Sequence, residues 1–287
     1  MPIHPAPPTD LAGVVTAFAQ TAQAVLDLGS SCTPADFERP TECPGWTVKD
    51  QFSHIVGLES YLEGARPPDV DVSGLPHVRD ERSRWIETWI QARRDMPGED
   101  VVGELASLLP RRLAHLRDPA LQPDTVIDNP LGPRPALAAV RIRAIDVWCH
   151  EQDLRVALGR PGNLDSPAAA IFVQSILDAL PVIVARRAVV PVGDVVIIDC
   201  TGPVAARGGV RVVEGAEGRP HGEALFTGGP SGQDPAMPQG PRTTITLSTE
   251  ALTRRAAGRR SVDELHYTVI GDADLAGAVL EHLPVTP

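Results

Sequence analysis

Up to residue 188, apolar side chains recur at the three- and four-residue spacing of amphipathic helices. The first such segment covers residues 9–28 and is followed by Gly29, a residue type that commonly ends helices. The pattern returns in five further segments: 48–63, 77–95, 99–116, 135–158 and 166–187. We therefore predict an all-α domain over residues 1–188, with the helix at 166–187 as its last member.

Beyond residue 188 the chain changes to short runs that are rich in β-branched residues and bounded by Gly and Pro, which is typical of strands. The predicted strands are 194–202, 209–213, 223–228, 243–248 and 265–271, and the predicted helices are 250–258 and 272–283. Strands interrupted by helices indicate an α+β domain over residues 189–287. The Gly- and Pro-rich segment 228–241 is predicted to be a mobile loop.

Length and composition agree with two domains in a soluble protein. A chain of 287 residues exceeds the size at which one core is the default, and 43% hydrophobic with 22% charged residues is ordinary for a globular protein. A net charge of −11 disfavours binding to nucleic acid or to an anionic membrane, because both attract positively charged proteins. We therefore expect a small-molecule partner.

The N-terminal residues show no basic segment followed by an apolar one, so no secretion signal is predicted. The longest apolar run, 170–185, is interrupted by Gln174, Asp178 and Pro181, which favours a buried helix over a membrane span. The four cysteines are far apart and form no CxxC pair, as expected for free thiols. We predict a cytoplasmic protein without a membrane segment.

Four charged or titratable side chains share one face of the predicted helix 135–158. Arg143, Asp146, His150 and Asp153 are three or four residues apart, and apolar residues flank them on both sides. Charged groups with apolar neighbours need partners. Either a bound ligand or ion pairs along the same face would satisfy them, and Arg143 and Asp153 fit the second role.

Asp146 and His150 can bind one cation, because a spacing of four residues stacks two side chains on adjacent helical turns. His54, on the flank of the apolar face of helix 48–63, is placed to supply a third ligand. Two histidines and one carboxylate leave a coordination position open, as in catalytic zinc sites. The residue types alone allow a simpler alternative, in which Asp146 and His150 form an ion pair and His54 is a core histidine.

Two segments resemble the mycothiol-dependent maleylpyruvate isomerase family of actinobacteria: CPGWTVKDQFSHIVGLE (43–59) and RAIDVWCHEQDLRVALGRPG (143–162). The resemblance implies a DinB-like four-helix metal-binding bundle, followed by a domain similar to sterol carrier proteins. It also implies that His54, Asp146 and His150 bind a divalent metal ion, with zinc expected. The family pattern has glutamate where this chain has Asp146, and that departure bears on the identity of the reaction.

The resemblance further implies a metal-dependent enzyme with mycothiol as its thiol cosubstrate. In the isomerase a thiolate adds to the cis double bond of maleylpyruvate, the adduct rotates, and elimination returns the trans isomer, whereas related thiol transferases release the adduct. We therefore expect isomerisation or thiol S-transfer on a small electrophile, by a monomer or a dimer. Arg143 is a candidate partner for a substrate carboxylate. In the C-terminal domain, Arg254, Arg255, Arg259 or Arg260 is expected to contact the thiol.

Two other functions are compatible with the residues. The C-terminal domain could bind an apolar ligand such as a lipid, with the helices as a scaffold, and it would then contain a deep apolar pocket. Alternatively, the metal site could hydrolyse a small amide without any thiol. Turnover of electrophiles with and without mycothiol separates these functions from the first.

Overall fold

The computed structural model describes residues 3–215, 218–227 and 240–286. The chain forms two compact units, Pro8–Gly162 and Asn163–Pro287, and the second also includes Met1–Pro7. We call them the helical unit and the sheet unit. The predicted order, a helical region followed by a domain that contains a sheet, is confirmed. Most of the loop predicted at 228–241 lies outside the described residues.

The helical unit is built around four long helices. Its elements are α1 Leu11–Ser30, α2 Pro34–Phe37, α3 Val48–Leu62, α4 Glu81–Gln91, α5 Gly98–Leu116, β1 Val126–Ile127, β2 Arg134–Pro135 and α6 Ala136–Leu158. Helix α1 packs against α5 and α6, and α3 packs against the same two helices. The four helices therefore enclose one core, whose buried side chains include Val14, Phe18, Phe52, Ile55, Leu105, Val140 and Leu154.

Local sequence determines where α3 and α4 begin and where α6 ends. The Thr47 hydroxyl accepts the Asp50 N–H, and the Asp50 carboxylate accepts the Thr47 N–H, which is a capping box at the start of α3. Helix α6 is followed by Gly159, whose φ of 65° lies in the left-handed region that glycine adopts without strain. Helix α4 is shorter than the predicted 77–95, because Asp80 caps its first turn.

The sheet unit contains a five-stranded sheet with the order β5-β4-β3-β6-β7. Its elements are α7 Pro167–Val182, a π-helical turn Ile183–Arg187, β3 Val195–Thr201, β4 Ala205–Glu214, β5 Pro220–Leu225, β6 Arg242–Leu247, α8 Thr249–Ala256, a 3₁₀ turn Val262–Glu264, β7 Tyr267–Ile270 and α9 Ala273–Glu281. Strands β3 and β6 are parallel, and the other neighbouring pairs are antiparallel. Each strand and helix predicted beyond residue 188 overlaps one of these elements.

Helix α7 lies in the sheet unit and not among the helices that precede it. It packs on β4 and β5, where two glycines allow close approach. A Cβ atom at Gly208 would lie 2.7 Å from the Leu177 side chain, and one at Gly222 would lie 2.5 Å from the Pro181 carbonyl oxygen. The compact units therefore divide at Gly162. The boundary expected at residue 188 was based on helical periodicity, which does not reveal which partner covers an apolar face.

Two helical segments, Leu11–Ser30 and Pro167–Arg187, are long and apolar enough to cross a membrane by length and composition alone. Both pack within their own units, since α1 contacts α5 and α6 while α7 contacts the sheet. Core helices of soluble proteins share the same length and composition, so these properties are weak evidence for a membrane span.

Candidate metal centre

His54, Asp146 and His150 lie side by side in the helical unit. His54 belongs to α3, and the other two residues lie on adjacent turns of α6. The His54 Nε2 atom is 3.2 Å from Asp146 Oδ2, and the His150 Nε2 atom is 3.8 Å from Asp146 Oδ1. The centroids of the two imidazole rings are 4.4 Å apart. One donor atom from each residue can be chosen so that all of them lie within 4.8 Å of one another.

These separations fit a single divalent ion. Metal–nitrogen and metal–oxygen bonds of about 2.0–2.2 Å in tetrahedral geometry hold the donor atoms roughly 3.4 Å apart. The distances of 3.2 and 3.8 Å lie on either side of that value. The Asp146 side chain is 31% exposed and the His54 side chain only 4%, so the cluster is open to solvent at its carboxylate.

The protonation states of the cluster also suit metal binding. Burial, reinforced by the neighbouring His150, lowers the pKa of His54 to about 4. Burial by itself would raise the pKa of Asp146, but Arg143 and the two imidazoles hold it well below the usual range of an aspartate. At neutral pH His54 is therefore a neutral imidazole and Asp146 a carboxylate, which are the forms that bind metal ions.

Two oxygen atoms orient the His150 ring at its Nδ1 edge, which faces away from Asp146. Its Nδ1 atom lies 2.6 Å from Gln51 Oε1 and 3.2 Å from Asp153 Oδ2. With both oxygens as acceptors, Nδ1 carries the proton and Nε2 keeps its lone pair towards Asp146. Such partners on the far edge of an imidazole commonly orient metal-binding histidines.

Arg143, the candidate partner for a substrate carboxylate, is held inside the helical unit by two acids. Its Nε atom donates to Glu59 Oε1 and its Nη1 atom to Asp146 Oδ2, both at 2.8 Å. Glu59 also accepts a hydrogen bond from Arg112 at 2.8 Å. Burial lowers the pKa of Arg143, but the two carboxylates more than offset this effect and raise it. The Nη2 atom is buried and makes no hydrogen bond with any described residue.

Sequence analysis alone misses three side chains that surround the histidines: Trp46, Gln51 and Glu59. The Trp46 ring lies 5.1 Å from the His54 ring and 5.8 Å from the His150 ring, measured between centroids. Gln51 precedes His54 by three residues, so the two share a face of α3. Glu59 is a buried charge in the apolar part of the same helix. A polar residue on a buried face is the signal that could have found both.

Among the four arginines expected to contact a thiol, Arg255 is occupied within the sheet unit. It donates to the main-chain oxygens of Leu280, Glu281 and Arg260 at 2.7–2.8 Å, and to the Glu281 carboxylate at 3.1 Å. Arg254 is also buried. The hydrogen bonds of Arg255 join α8 to the end of α9, and the arginine that contacts a thiol stays a prediction.

Comparison with known proteins finds a family model that matches most of the helical unit. The family model for the mycothiol maleylpyruvate isomerase N-terminal domain matches residues 18–155, a segment that contains His54, Asp146 and His150. A comparison with curated proteins finds no match.

Two solved structures share the fold of nearly the whole chain. A crystal structure of the mycothiol-dependent maleylpyruvate isomerase has a TM-score of 0.57 and 15% identity, and the alignment covers 92% of this chain and 95% of that one. A histidine-to-alanine mutant of the mycothiol-dependent maleylpyruvate isomerase has a TM-score of 0.52 and 15% identity, with coverage of 91% and 93%. The resemblance inferred from the two sequence segments is thus confirmed, since residues 18–155 match the family model of the mycothiol maleylpyruvate isomerase N-terminal domain.

Proposed function

We propose that this chain is a metal-dependent enzyme that uses mycothiol either to isomerise a small electrophile or to transfer the thiol to it. The observation that carries the proposal is the cluster of His54, Asp146 and His150, whose donor atoms are spaced for one divalent ion. The family of residues 18–155 supports mycothiol as the cosubstrate.

The alternative of a plain ion pair fits this cluster less well. That alternative pairs Asp146 with His150, whose Nε2 atom lies 3.8 Å from Asp146 Oδ1, which is too long for a hydrogen bond. His54, the core histidine of that alternative, faces the same carboxylate with its Nε2 atom at 3.2 Å, while its buried Nδ1 atom makes no hydrogen bond with any described residue.

The proposal extends to the two units and to the ion. We propose that α1, α3, α5 and α6 form a DinB-like four-helix bundle and that the sheet unit is a sterol-carrier-like domain. Zinc is the expected ion, because two histidines and one carboxylate with an open position form a common catalytic zinc site. The cytoplasmic location and the monomeric or dimeric state stay predictions.

His54, Asp146 and His150 would hold the ion in this proposal. A divalent ion bound there would lower the pKa of a thiol in the open position, so that the thiolate is available as nucleophile at neutral pH. The exposed side of Asp146 gives solvent access to that position. Trp46 stacks beside both imidazoles and restricts the space around them.

Arg143 has two roles in the proposed site. Its Nη1 atom holds Asp146 Oδ2 and thereby fixes the carboxylate between the histidines. Its Nη2 atom, which makes no hydrogen bond with any described residue, is the donor that we propose for a substrate carboxylate. Asp146 is one methylene shorter than the glutamate of the family pattern and would hold the ion closer to α6. Because this departure bears on the identity of the reaction, we propose only the chemical class of the substrate. That class is a small, carboxylate-bearing electrophile similar to maleylpyruvate.

Turnover of a panel of electrophiles, including maleylpyruvate, tests the proposed function. The protein is assayed at known metal content with and without mycothiol. We expect at least one divalent ion per chain, bound at this cluster, and turnover that requires both the ion and mycothiol. The variant His54→Ala is expected to lose the ion and at least about 100-fold of the turnover, because even the outer partners of metal ligands are worth about 10- to 100-fold.

His115→Ala is the matched control, because His115 belongs to the same unit and its side chain is 63% exposed. Its metal content and turnover should equal those of the wild type. Protein without a stoichiometric ion, or an unchanged metal content in His54→Ala, would contradict the metal centre. Turnover with water in the absence of mycothiol would instead identify a metal hydrolase.

A further inference from the structure

A second group of metal-binding atoms surrounds the Nδ1 edge of His150. The Cys43 Sγ atom is 3.3 Å from Asp153 Oδ2, and that oxygen is 3.2 Å from His150 Nδ1. Donor atoms of Cys43, His150 and Asp153 lie within 4.8 Å of one another, and all three residues are buried. Cys43 comes from the loop before α3 and Asp153 from α6, so two separate parts of the chain supply the group.

The distances and the chemistry of this group suit a metal ion with an affinity for sulfur. Bonds of about 2.3 Å to sulfur and about 2.0–2.2 Å to nitrogen or oxygen place tetrahedral donor atoms roughly 3.3–3.7 Å apart. The separations of 3.2 and 3.3 Å lie close to that range. A thiolate makes the donor set softer than that of the first cluster and favours thiophilic ions.

We propose that Cys43, His150 and Asp153 form a second metal position, which takes a thiophilic divalent ion such as zinc or cadmium. The Gln51 Oε1 atom, 2.6 Å from His150 Nδ1, is at hydrogen-bond distance and would have to move away from that nitrogen when the ion binds. The two positions share His150, because the two nitrogens of an imidazole point in different directions and each can face its own ion.

Without metal, the same atoms are joined by hydrogen bonds, with the Cys43 thiol donating to Asp153. Filling the second position alone replaces the S–H bond with a metal–sulfur bond, and the His150 proton moves to Nε2 while Nδ1 binds the metal. One proton then leaves to solvent. When both positions are filled, His150 bridges the two ions as an imidazolate, and a second proton leaves.

Cadmium titration followed by ultraviolet difference absorption tests the second position. Cadmium–thiolate bonds absorb in this region, whereas cadmium bonds to imidazole or carboxylate do not. The metal-free full-length chain, kept reduced with a phosphine, is expected to develop the band. Cys43→Ser should lose the band and still bind cadmium at the first cluster, whereas His54→Ala should keep the band. Cys149→Ser is the matched control, since Cys149 is a buried thiol of α6 outside the group, and it should match the wild type.

The absence of a band in cadmium-loaded wild type, or a band that survives Cys43→Ser, would overturn the second position. If Cys43→Ser does not fold, Asp153→Asn serves instead, and it should weaken the binding that produces the band about 10- to 100-fold. Unchanged binding in that variant counts equally against the proposal. Failure of the proposed function gives a different pattern: mycothiol has no effect on turnover, and His54→Ala keeps its full metal content, while the band still depends on Cys43.

Discussion

Two buried arginines, Arg143 in the helical unit and Arg255 in the sheet unit, have partners of different kinds. Arg143 donates to the carboxylates of Glu59 and Asp146, and Glu59 is shared with a second buried arginine, Arg112. Arg255 donates mainly to main-chain carbonyl oxygens near the end of α9. Both guanidinium groups are buried, but only the first belongs to a group of buried charges of both signs.

The difference shows which buried charges indicate a site. Carbonyl groups at the end of a helix need donors in any protein, and a long cationic side chain often supplies them. A carboxylate shared by two buried guanidinium groups is not needed to complete a helix, and it balances charge beside the two histidines. Burial of an arginine is therefore a poor indicator of function, whereas convergence of acids and arginines on an imidazole pair is a better one.

The largest effect that this comparison predicts is for Glu59→Gln. Glutamine has nearly the shape of glutamate, so the substitution removes charge without opening a cavity. It leaves Arg112 and Arg143 without a shared counterion inside the helical unit. We expect the free energy of unfolding to fall by about 3–5 kcal/mol, as when one partner of a buried ion pair is removed. Denaturant unfolding monitored by circular dichroism measures the change.

Glu281→Gln is the matched control in the sheet unit. Glu281 pairs with Arg255 at 3.1 Å, but its side chain is 61% exposed. Loss of an exposed pair is worth less than about 1 kcal/mol. If the two glutamine variants lose equal stability, the distinction drawn between the two arginines is wrong.

Features that depend on neighbouring residues in the chain could be predicted from the sequence. The helices predicted at 48–63 and 135–158 agree with α3 and α6. Helix α4 is an exception, because its cap Asp80 was not expected and the predicted helix 77–95 was too long. The partner of α7 was missed for a different reason, since Gly208 and Gly222 lie on strands far along the chain from the helix that they contact. Apolar periodicity predicts that a face is buried but does not identify the surface that covers it.

The candidate site was predicted in part. Helical spacing placed Asp146 and His150 on one face and made His54 a candidate third ligand, but an ion pair with a core histidine was left as the alternative, which the family resemblance disfavoured. Gln51 and Glu59 were missed because they contact α6 and α5 from α3. No pattern within one segment reveals a contact between two helices.

The second prediction concerns the pH dependence of stability in metal-free protein. In the unfolded chain His54 takes up a proton near pH 6.5, whereas in the folded chain its ring stays neutral down to about pH 4. The unfolded state therefore binds more protons within this window, and the free energy of unfolding falls as the pH falls. At about 1.4 kcal/mol per pKa unit, the expected loss is about 1–3 kcal/mol. Asp146, whose pKa is held below its usual range, adds to the loss only at lower pH.

Denaturant unfolding between pH 7 and pH 4 measures this loss. His54→Gln should flatten the dependence within the window, because glutamine takes up no proton. His115→Gln, at an exposed histidine of the same unit, should keep the slope of the wild type. An undiminished slope in His54→Gln would assign the effect to other groups and remove one argument for a neutral imidazole in the cluster.

The smallest predicted effect compares one helix cap from each unit. Thr47→Ala removes the N-cap of α3, the helix that carries His54, and Ser248→Ala removes the N-cap of α8. Each loss should lower the free energy of unfolding by about 1 kcal/mol, because one main-chain N–H loses its acceptor. Only Thr47→Ala should also weaken metal binding, measured by competition with a chelator, because it loosens the first turns of the helix that presents His54. Equal metal affinity in the two variants would mean that packing against α5 and α6, and not the start of α3, holds His54 in place.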